Sequence, residues 1–324
     1  MLTVMTWYWL QPNGRAEYKP EHVRIWADMV SRNLTMPHRL AVVTNVPGDY
    51  GDLVVIEPPR DFEDVRIPTW GDDKPQCLRR LAMFAPDAGK RFGDRFVSMD
   101  MDCVVSGSLD PLFDREDDFL MYRGTHERRP YNGSMVMMTA GARPRVYTEF
   151  TPEGAAKAGR EYIGSDQAWI SRVLGPGEAT WGVDDGVHAW NSRLNKGDPR
   201  LTFFLGNPKP WELVLSGDAN VQRDYRRSPS GKALILGYAP SVWSEAEKAM
   251  DEHEFDAVIA SPEAAEHWPD ALAVGRTDGE CETLARMHGY DDFVFCGRST
   301  PIPGDLNGIG GHDADQASLA SNVG

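Results

Sequence analysis

An α/β fold is what this sequence predicts: a mixed, mostly parallel sheet flanked by helices, then a second, smaller α/β domain. Two observations predict it. Through residues 1–110, short β-branched runs alternate with helical patterns, the arrangement of a parallel sheet covered on both faces. At 216–231 the polar, turn-rich run SGDANVQRDYRRSPSG breaks the pattern and reads as a linker, after which the alternation resumes over 232–298.

In chain order, strands are expected at Leu2–Tyr8, Leu40–Thr44, Leu53–Ile56 and Arg95–Met99. Pro20–Asn33 places Val23, Trp26, Ala27 and Val30 on one helical face, the mark of a crossover helix. Lys74–Phe84 has Leu78, Leu81 and Ala82 at helical spacing and stops before Pro86. Beyond the linker, strands are expected at Lys232–Gly237, Asp256–Ala260 and Asp292–Cys296, with helices near Ser244–Asp251 and over Glu280–His288. The Gly-, Asp- and Ser-rich tail 299–324 is expected to be disordered. Three domain-level pieces follow: 1–215, the linker 216–231, and the module 232–298.

Composition narrows the function classes. At 41% apolar and 26% charged residues the chain has the make-up of a soluble globular protein. The opening MLTVMTWYWL is apolar but too short to span a bilayer and lacks a basic leader, so a first buried strand is expected, with no membrane span. Cys77, Cys103, Cys281 and Cys296 are scattered without zinc spacing, which suits reduced thiols and a cytoplasmic protein. The net charge of −15 is uneven: residues 1–215 carry 26 Lys+Arg against 30 Asp+Glu, residues 216–324 carry 8 against 19. The first part has room for a local phosphate-binding patch, whereas the second repels polyanions and disfavours a DNA partner.

The strongest chemical feature is FVSMDMDCVV, Phe96–Val105. An apolar strand runs into Asp100-Met101-Asp102, and two carboxylates at i and i+2 project to the same side. Such a pair suits Mg²⁺ or Mn²⁺ bridging to diphosphate oxygens; a strand–turn junction with two solvated aspartates is the plainer reading. Apolar flanks on both sides favour the metal, because clamped carboxylates are costly without a cation.

A second feature is FFLGNPKPW, Phe203–Trp211. Gly206 permits close backbone approach to a ligand, two prolines stiffen the loop, and Lys209 offers a point charge suited to a phosphate leaving group. An ordinary Pro-rich surface loop has the same composition. Between the two features lie Tyr131-Asn132-Gly133-Ser134 before an apolar run, and Ser165-Asp166-Gln167 before Ala168-Trp169-Ile170. These amides and carboxylates suit a hydroxyl-rich ligand; equally, Asn132 fills a turn and Asp166 caps the following helix.

Taken in order, the Asp-Met-Asp pair, the Asn-Gly-Ser strand, Asp-Gln and GxxKPW resemble the glycogenin-like retaining glycosyltransferases of the GT-A fold. Trp70…Lys74 and Leu109-Asp110-Pro111-Leu112 extend the resemblance over residues 1–215. It implies a nucleotide-sugar donor, UDP-sugar favoured, and Mn²⁺ or Mg²⁺ as cofactor. Residue by residue, it implies Asp100 toward the ribose and metal, and Asp102 as a direct metal ligand. Lys209 and the backbone near Gly206 would hold the diphosphate. Asn132, with Gly133 beside it, and Asp166 would bind donor-sugar hydroxyls, and Gln167 would lie close to the reacting carbon. Lys74 and Arg80 are candidates for phosphate contacts, and Thr6 for the first nucleotide-binding loop. Lys209, Asp166 and Gln167 are therefore the catalytic candidates.

One departure stands out. The family's histidine metal ligand, three residues before the Gly of GxxKPW, is Phe203 here, and His188 is a possible substitute. The module Ala233–Gly297 also resembles small Rossmann-like domains related to hydroxymethylpterin pyrophosphokinases, through LGYAPS (Leu236–Ser241) and TDGECETLARMHGYDDFVFCG (Thr277–Gly297). Its usual Gly-x-Gly turn is reduced to Gly237-Tyr238-Ala239, so an accessory or acceptor-binding role is expected. Two other functions compete. A sugar-nucleotide or glycan-binding module without turnover fits the missing histidine. A nucleotidyltransferase fits the parallel sheet, but the loop TWYWLQPNGR is too aromatic and too poor in glycine for it. Trp7, Trp9, Trp70, Trp181 and Trp190 are candidate stacking platforms for sugar rings, and glycan, protein or small-molecule acceptors are favoured over DNA.

Overall fold

A computed structural model describes residues 1–10, 17–71, 76–237, 243–251 and 255–296. The chain divides into two units, Met1–Glu212 and Leu213–Gly324. In chain order the strands of the first unit are β1 (Leu2–Tyr8), β2 (His38–Thr44), β3 (Val54–Ile56), β4 (Arg95–Met99), β5 (Cys103–Val105), β6 (Phe119–His126), β7 (Arg129–Thr139), β8 (Thr180–Trp181), β9 (Val187–Ala189) and β10 (Leu201–Phe203).

Seven of them form one sheet in the order β3-β2-β1-β4-β7-β6-β8. β1 is buried along its whole length, LTVMTWY, as a central strand with both faces covered must be. It pairs in parallel with β2 and β4, whereas β7 runs antiparallel to both β4 and β6. β4 is thus the strand at which parallel pairing gives way to antiparallel. The remaining three strands make a second sheet, β5-β10-β9. The chain crosses from one sheet to the other between Met99 and Cys103, through the Asp-Met-Asp sequence.

Helix α1 spans Pro20–Asn33, as expected, with proline in its first turn where no N–H is needed. Its buried face holds the four predicted residues together with His22, Ile25 and Met29. The expected helix over Lys74–Phe84 differs: Leu78–Phe84 is a 3-10 helix, and Lys74 and Pro75 lie outside the described residues. All seven residues of this helix are buried, including Arg79 and Arg80, so no polar face exists to define an amphipathic α-helix. The main apolar core lies against it and gathers Met5, Trp7, Phe84, Phe92, Phe96, Phe119, Met138 and Trp169. Each such side chain stabilises the fold by about 1.5–3 kcal/mol relative to exposure.

In the second unit, β11 (Lys232–Leu236), β12 (Ala257–Ala260), β13 (Ala273–Val274) and β14 (Asp292–Cys296) pair in parallel in the order β13-β12-β11-β14. Helices Trp243–Asp251, Pro262–His267 and Asp278–Met287 connect them. The stretch 216–231, expected as a linker, contains the helix Ala219–Asp224, because Asp218 caps its N-terminus by accepting from Asn220 and Val221. Just after it, Arg226 Nη1 donates to Asp291 Oδ1 at 2.8 Å and Arg227 N to the Met287 carbonyl at 2.8 Å, which ties the segment to the rest of the second unit. Of the turn Gly237-Tyr238-Ala239 only Gly237 is described, and the tail 299–324 lies outside the described residues. Among the described residues no helix is long and apolar enough to cross a membrane.

Candidate functional site

The Asp-Met-Asp turn is held at both ends by sheet hydrogen bonds. Asp100 N donates to the Ser134 carbonyl at 2.8 Å, extending the β4–β7 ladder by one residue. Phe204 N donates to the Asp102 carbonyl at 2.9 Å, extending the β5–β10 ladder. Two sheets therefore fix the backbone between them, and the carboxylates inherit that rigidity. They open into a cavity of about 280 Å³, close to the lower end of small-molecule sites, roughly 300–1,000 Å³.

Three distant segments meet there. Asn132 and Ser134 come from β7, Ser165, Asp166 and Gln167 from the start of helix Asp166–Leu174, and Phe204–Gly206 with Lys209 from the segment after β10. Arg80 ties the helix segment to the Asp-Met-Asp turn. Its Nη1 donates to Asp100 Oδ1 at 2.7 Å and its Nε to Asp166 Oδ2 at 2.9 Å, with Nη2 also 2.9 Å from that oxygen. Burial works against the guanidinium charge, but Asp166 and Asp100 outweigh it and hold its pKa well above the ordinary value. The Asp100 carboxyl is pushed up from its usual range by the protein around it and by the Asp102 charge, with Arg80 and Ser134 pulling the other way.

Gly133 stands behind the cavity wall. A Cβ there would meet Arg80 Nη2 at 2.9 Å and Asp166 Oδ2 at 3.3 Å, so a side chain would push the guanidinium out of this geometry, and glycine leaves the ion pair room under β7. Its N–H donates to Gln167 Oε1 at 3.1 Å, while Gln167 Nε2 donates to the Ile163 carbonyl at 2.9 Å. Both ends of that amide are engaged, which makes Gln167 a brace of the wall. Asn132 Oδ1 accepts from Ser134 N at 2.9 Å, leaving Nδ2 for a ligand. Ser165 Oγ accepts from Cys77 N at 2.9 Å and sets the entry to the helix.

At the other end, Lys209 Nζ donates to Asp102 Oδ2 and, at 3.0 Å, to the Phe204 carbonyl. Tyr18 OH donates to the same Asp102 oxygen at 3.0 Å, and its ring centroid lies 5.9 Å from the ammonium. Burial and then the Asp102 charge push the Tyr18 phenol far above its normal range, so it stays a donor. Trp211 packs edge-on to Tyr18 and stacks on His22, with ring centroids 3.9 Å apart. Gly206 faces open space: a Cβ there would touch nothing within 4 Å.

Of the residues singled out from sequence, Asp100, Asp102, Asn132, Asp166, Gln167, Gly206, Lys209 and Arg80 line one cavity. Others do not. Thr6 sits fully buried in the body of β1 opposite Val42, and it is Trp7, Tyr8 and Trp9 that reach the cavity. His188 does not line it either. That residue lies on β9, with β10 between it and β5, and its Nε2 pairs with the Lys196 carbonyl at 3.1 Å. It is no substitute for the missing histidine. Phe203, in the family's ligand position, is fully buried with its ring 5.3 Å from that of Tyr122. Lys74 lies outside the described residues. Trp181 is core, donating to the Leu112 carbonyl, and Trp190 stacks on Phe204 outside the cavity lining, whereas Trp7, Trp9 and Trp70 line it. Sequence reasoning missed Tyr18, Ser134, Ser165 and Arg129 as cavity residues. A tyrosine two residues before a helix carries no signal of its own, since only the fold brings it to Asp102.

Among the described residues no group of three or more His, Cys, Asp or Glu is placed to hold a metal. The Asp-Met-Asp turn offers two of the cavity's three carboxylates, Asp100 and Asp102, each with one oxygen already paired to a cationic side chain. Its charged lining is balanced, Arg80, Arg129 and Lys209 against Asp100, Asp102 and Asp166. Two carboxylate ligands completed by phosphate oxygens and water are a usual Mg²⁺ arrangement, so the donor set fits a hard divalent cation that arrives with a diphosphate.

No protein-family model matches the chain, and no curated protein matches it. Among solved structures, the galactosyltransferase LgtC in complex with donor and acceptor sugar analogues is similar at 13% identity, over 68% of this chain and 92% of that one, with a TM-score of 0.45. The apo form of the glycosyltransferase GlyE of Streptococcus pneumoniae TIGR4 is 10% identical over 92% of each chain, TM-score 0.42. The bifunctional glycosyltransferase WbbM is 12% identical over 65% of this chain and 46% of that one, TM-score 0.42. Each of the three is a glycosyltransferase, similar to this chain at low identity.

Proposed function

We propose that the chain is a glycosyltransferase that moves a sugar from a nucleoside-diphosphate donor, UDP-sugar favoured, to an acceptor hydroxyl with retention. One observation carries this reading: a single cavity has two chemically distinct ends joined by Arg80. Lys209, Gly206, Asp100 and Asp102 form a charged end suited to a diphosphate. Asn132 and Asp166 form a polar end suited to sugar hydroxyls. The charge balance of the lining adds support, because a diphosphate brings about two negative charges into a neutral site, and a divalent cation offsets them.

Asp100 and Asp102 would hold that Mn²⁺ or Mg²⁺, which supplies Lewis-acid stabilisation to the leaving group. Lys209 places its ammonium on the departing diphosphate, stabilising charge that develops only as the glycosidic bond breaks. The open space at Gly206 admits the diphosphate against the backbone. Asn132 Nδ2 and Asp166 orient the sugar. Asp166 Oδ2 is held by two nitrogens of Arg80, which disfavours it as a covalent nucleophile. The acceptor oxygen then attacks on the face that the diphosphate leaves, and the acceptor proton passes to the departing phosphate oxygen.

A second reading, a sugar-nucleotide binder without turnover, is favoured by the engagement of Asp102 with Lys209 and Tyr18. A panel of nucleotide sugars, with and without Mn²⁺, separates the two by release of nucleoside diphosphate. Metal-dependent turnover of one donor is the expected result. Binding without release selects the second reading, and neither binding nor release overturns both.

A further inference from the structure

We propose that Lys209 and a divalent cation exchange at Asp102. In the free protein the lysine ammonium is the resident counter-ion of this carboxylate, and a metal takes hold only when a nucleoside diphosphate draws the ammonium away. The inference rests on the donor reading above and deepens it.

Three observations carry it. First, the ammonium lies between Asp102 Oδ2 and the Phe204 carbonyl, a carboxylate oxygen and a backbone oxygen. That is the ligand set a hard cation seeks, and here lysine fills it. Second, the pair is secluded, with side-chain exposures of 7% for Lys209 and 13% for Asp102. A secluded carboxylate stripped of its counter-ion is costly, so the lysine leaves only as another cation enters. Third, beyond Asp100 a metal finds little else among the described residues of this cavity. Phe203 is buried against Tyr122, and the described residues contain no cluster of three metal-ligating side chains. The rest of the coordination shell must come from the diphosphate and water.

Each step depends on the other. The diphosphate gives the ammonium a new anionic partner as the metal takes its place beside Asp102, where it would balance Asp102 and the second phosphate charge. Tyr18 OH keeps Asp102 Oδ2 oriented during the exchange, since it needs no change of charge to remain there. Binding of metal and of nucleoside diphosphate is therefore reciprocally coupled, each raising the affinity for the other by the same factor.

Titrations on the full chain test this without reference to turnover. UDP, with GDP as a second probe, is titrated calorimetrically in Mn²⁺ and in EDTA, and Mn²⁺ alone is followed by the electron-spin signal of the free ion. The wild type is expected to bind UDP or GDP at least about tenfold more tightly in Mn²⁺ than in EDTA. In Lys209→Met, Mn²⁺ alone is expected to bind about tenfold more tightly than in the wild type, with the Mn²⁺ effect on nucleotide affinity reduced. Tyr18→Phe, which keeps the lysine, is expected to retain the coupling. Equal nucleotide affinity with and without Mn²⁺ overturns the exchange while leaving the donor reading standing. Equal affinity of wild type and Lys209→Met for Mn²⁺ alone also overturns it. If the methionine variant does not fold, the wild-type titrations decide. No nucleotide binding in either condition removes the donor reading, and the exchange with it.

Discussion

Both units end parallel strands at a change in strand order, yet charged side chains close one of them and backbone and hydroxyl groups the other. In the first unit, β4 runs into Asp100 and Asp102, and Arg80 and Lys209 converge on them. In the second, β11 and β12 run into Gly237 and Ser261, and Ser261 Oγ donates to the Gly237 carbonyl at 3.3 Å. The same hydroxyl caps the helix Pro262–His267 by accepting from Ala264 N. Strand ends of this kind are where α/β sheets place ligands, but the architecture only supplies a location. The chemistry comes from what the loops bring there, and the proposed function places transfer in the first unit.

The sharpest way to break that assignment is Asp102→Ala. It is expected to lower nucleoside diphosphate release by about 10²–10³-fold, the scale of a lost transition-state electrostatic contact, with far-UV circular dichroism unchanged. Activity retained in this variant would remove the first unit's claim.

Arg80→Met comes next. It leaves Asp166 and Asp100 without their shared cation, and is expected to cost about 3 kcal/mol of stability in denaturant titration. Arg80→Lys is not expected to restore it, since one ammonium cannot reproduce the guanidinium fork that serves two carboxylates.

Gly206→Ala separates ligand space from protein packing. Its added methyl group touches no protein atom, so the thermal midpoint should stay put while nucleotide affinity falls by on the order of tenfold, about 1.4 kcal/mol. A fall in stability with unchanged affinity would mean that the open space serves folding instead.

The smallest effect is expected in the second unit. Ser261→Ala removes a helix cap, costing about 1 kcal/mol of stability, and should leave the turnover number of the folded protein unchanged. A large loss of turnover would show that the second unit belongs to the chemistry.

Much of this site was legible from residue order. The Asp-Met-Asp pair, Asn132, Asp166, Gln167 and Lys209 stand out as polar groups beside apolar segments and Gly206 for the close approach it permits, while the order of these motifs, through its resemblance to a known family, supplies their expected roles. Thr6, expected from the resemblance alone, falls outside for a local reason: the cavity begins one residue further along β1, and a pleated strand gives no sign of where its covered length ends. His188 failed because a histidine in a short strand looks the same whether it binds a metal or, as here, the Lys196 carbonyl. Tyr18 left no mark, since its partner Asp102 lies 84 residues away.

By itself the sequence determined the alternation of strands and helices and hence the α/β class, because alternation and helical spacing are local properties of side chains. It also determined which residues carry charge at the ends of strands. Only the tertiary structure decided which charges share a partner. Arg80 serves Asp100 and Asp166, and Lys209 and Tyr18 share one oxygen of Asp102. Those pairings depend on contacts between segments far apart in the chain, which burial and sheet order select and local spacing does not encode.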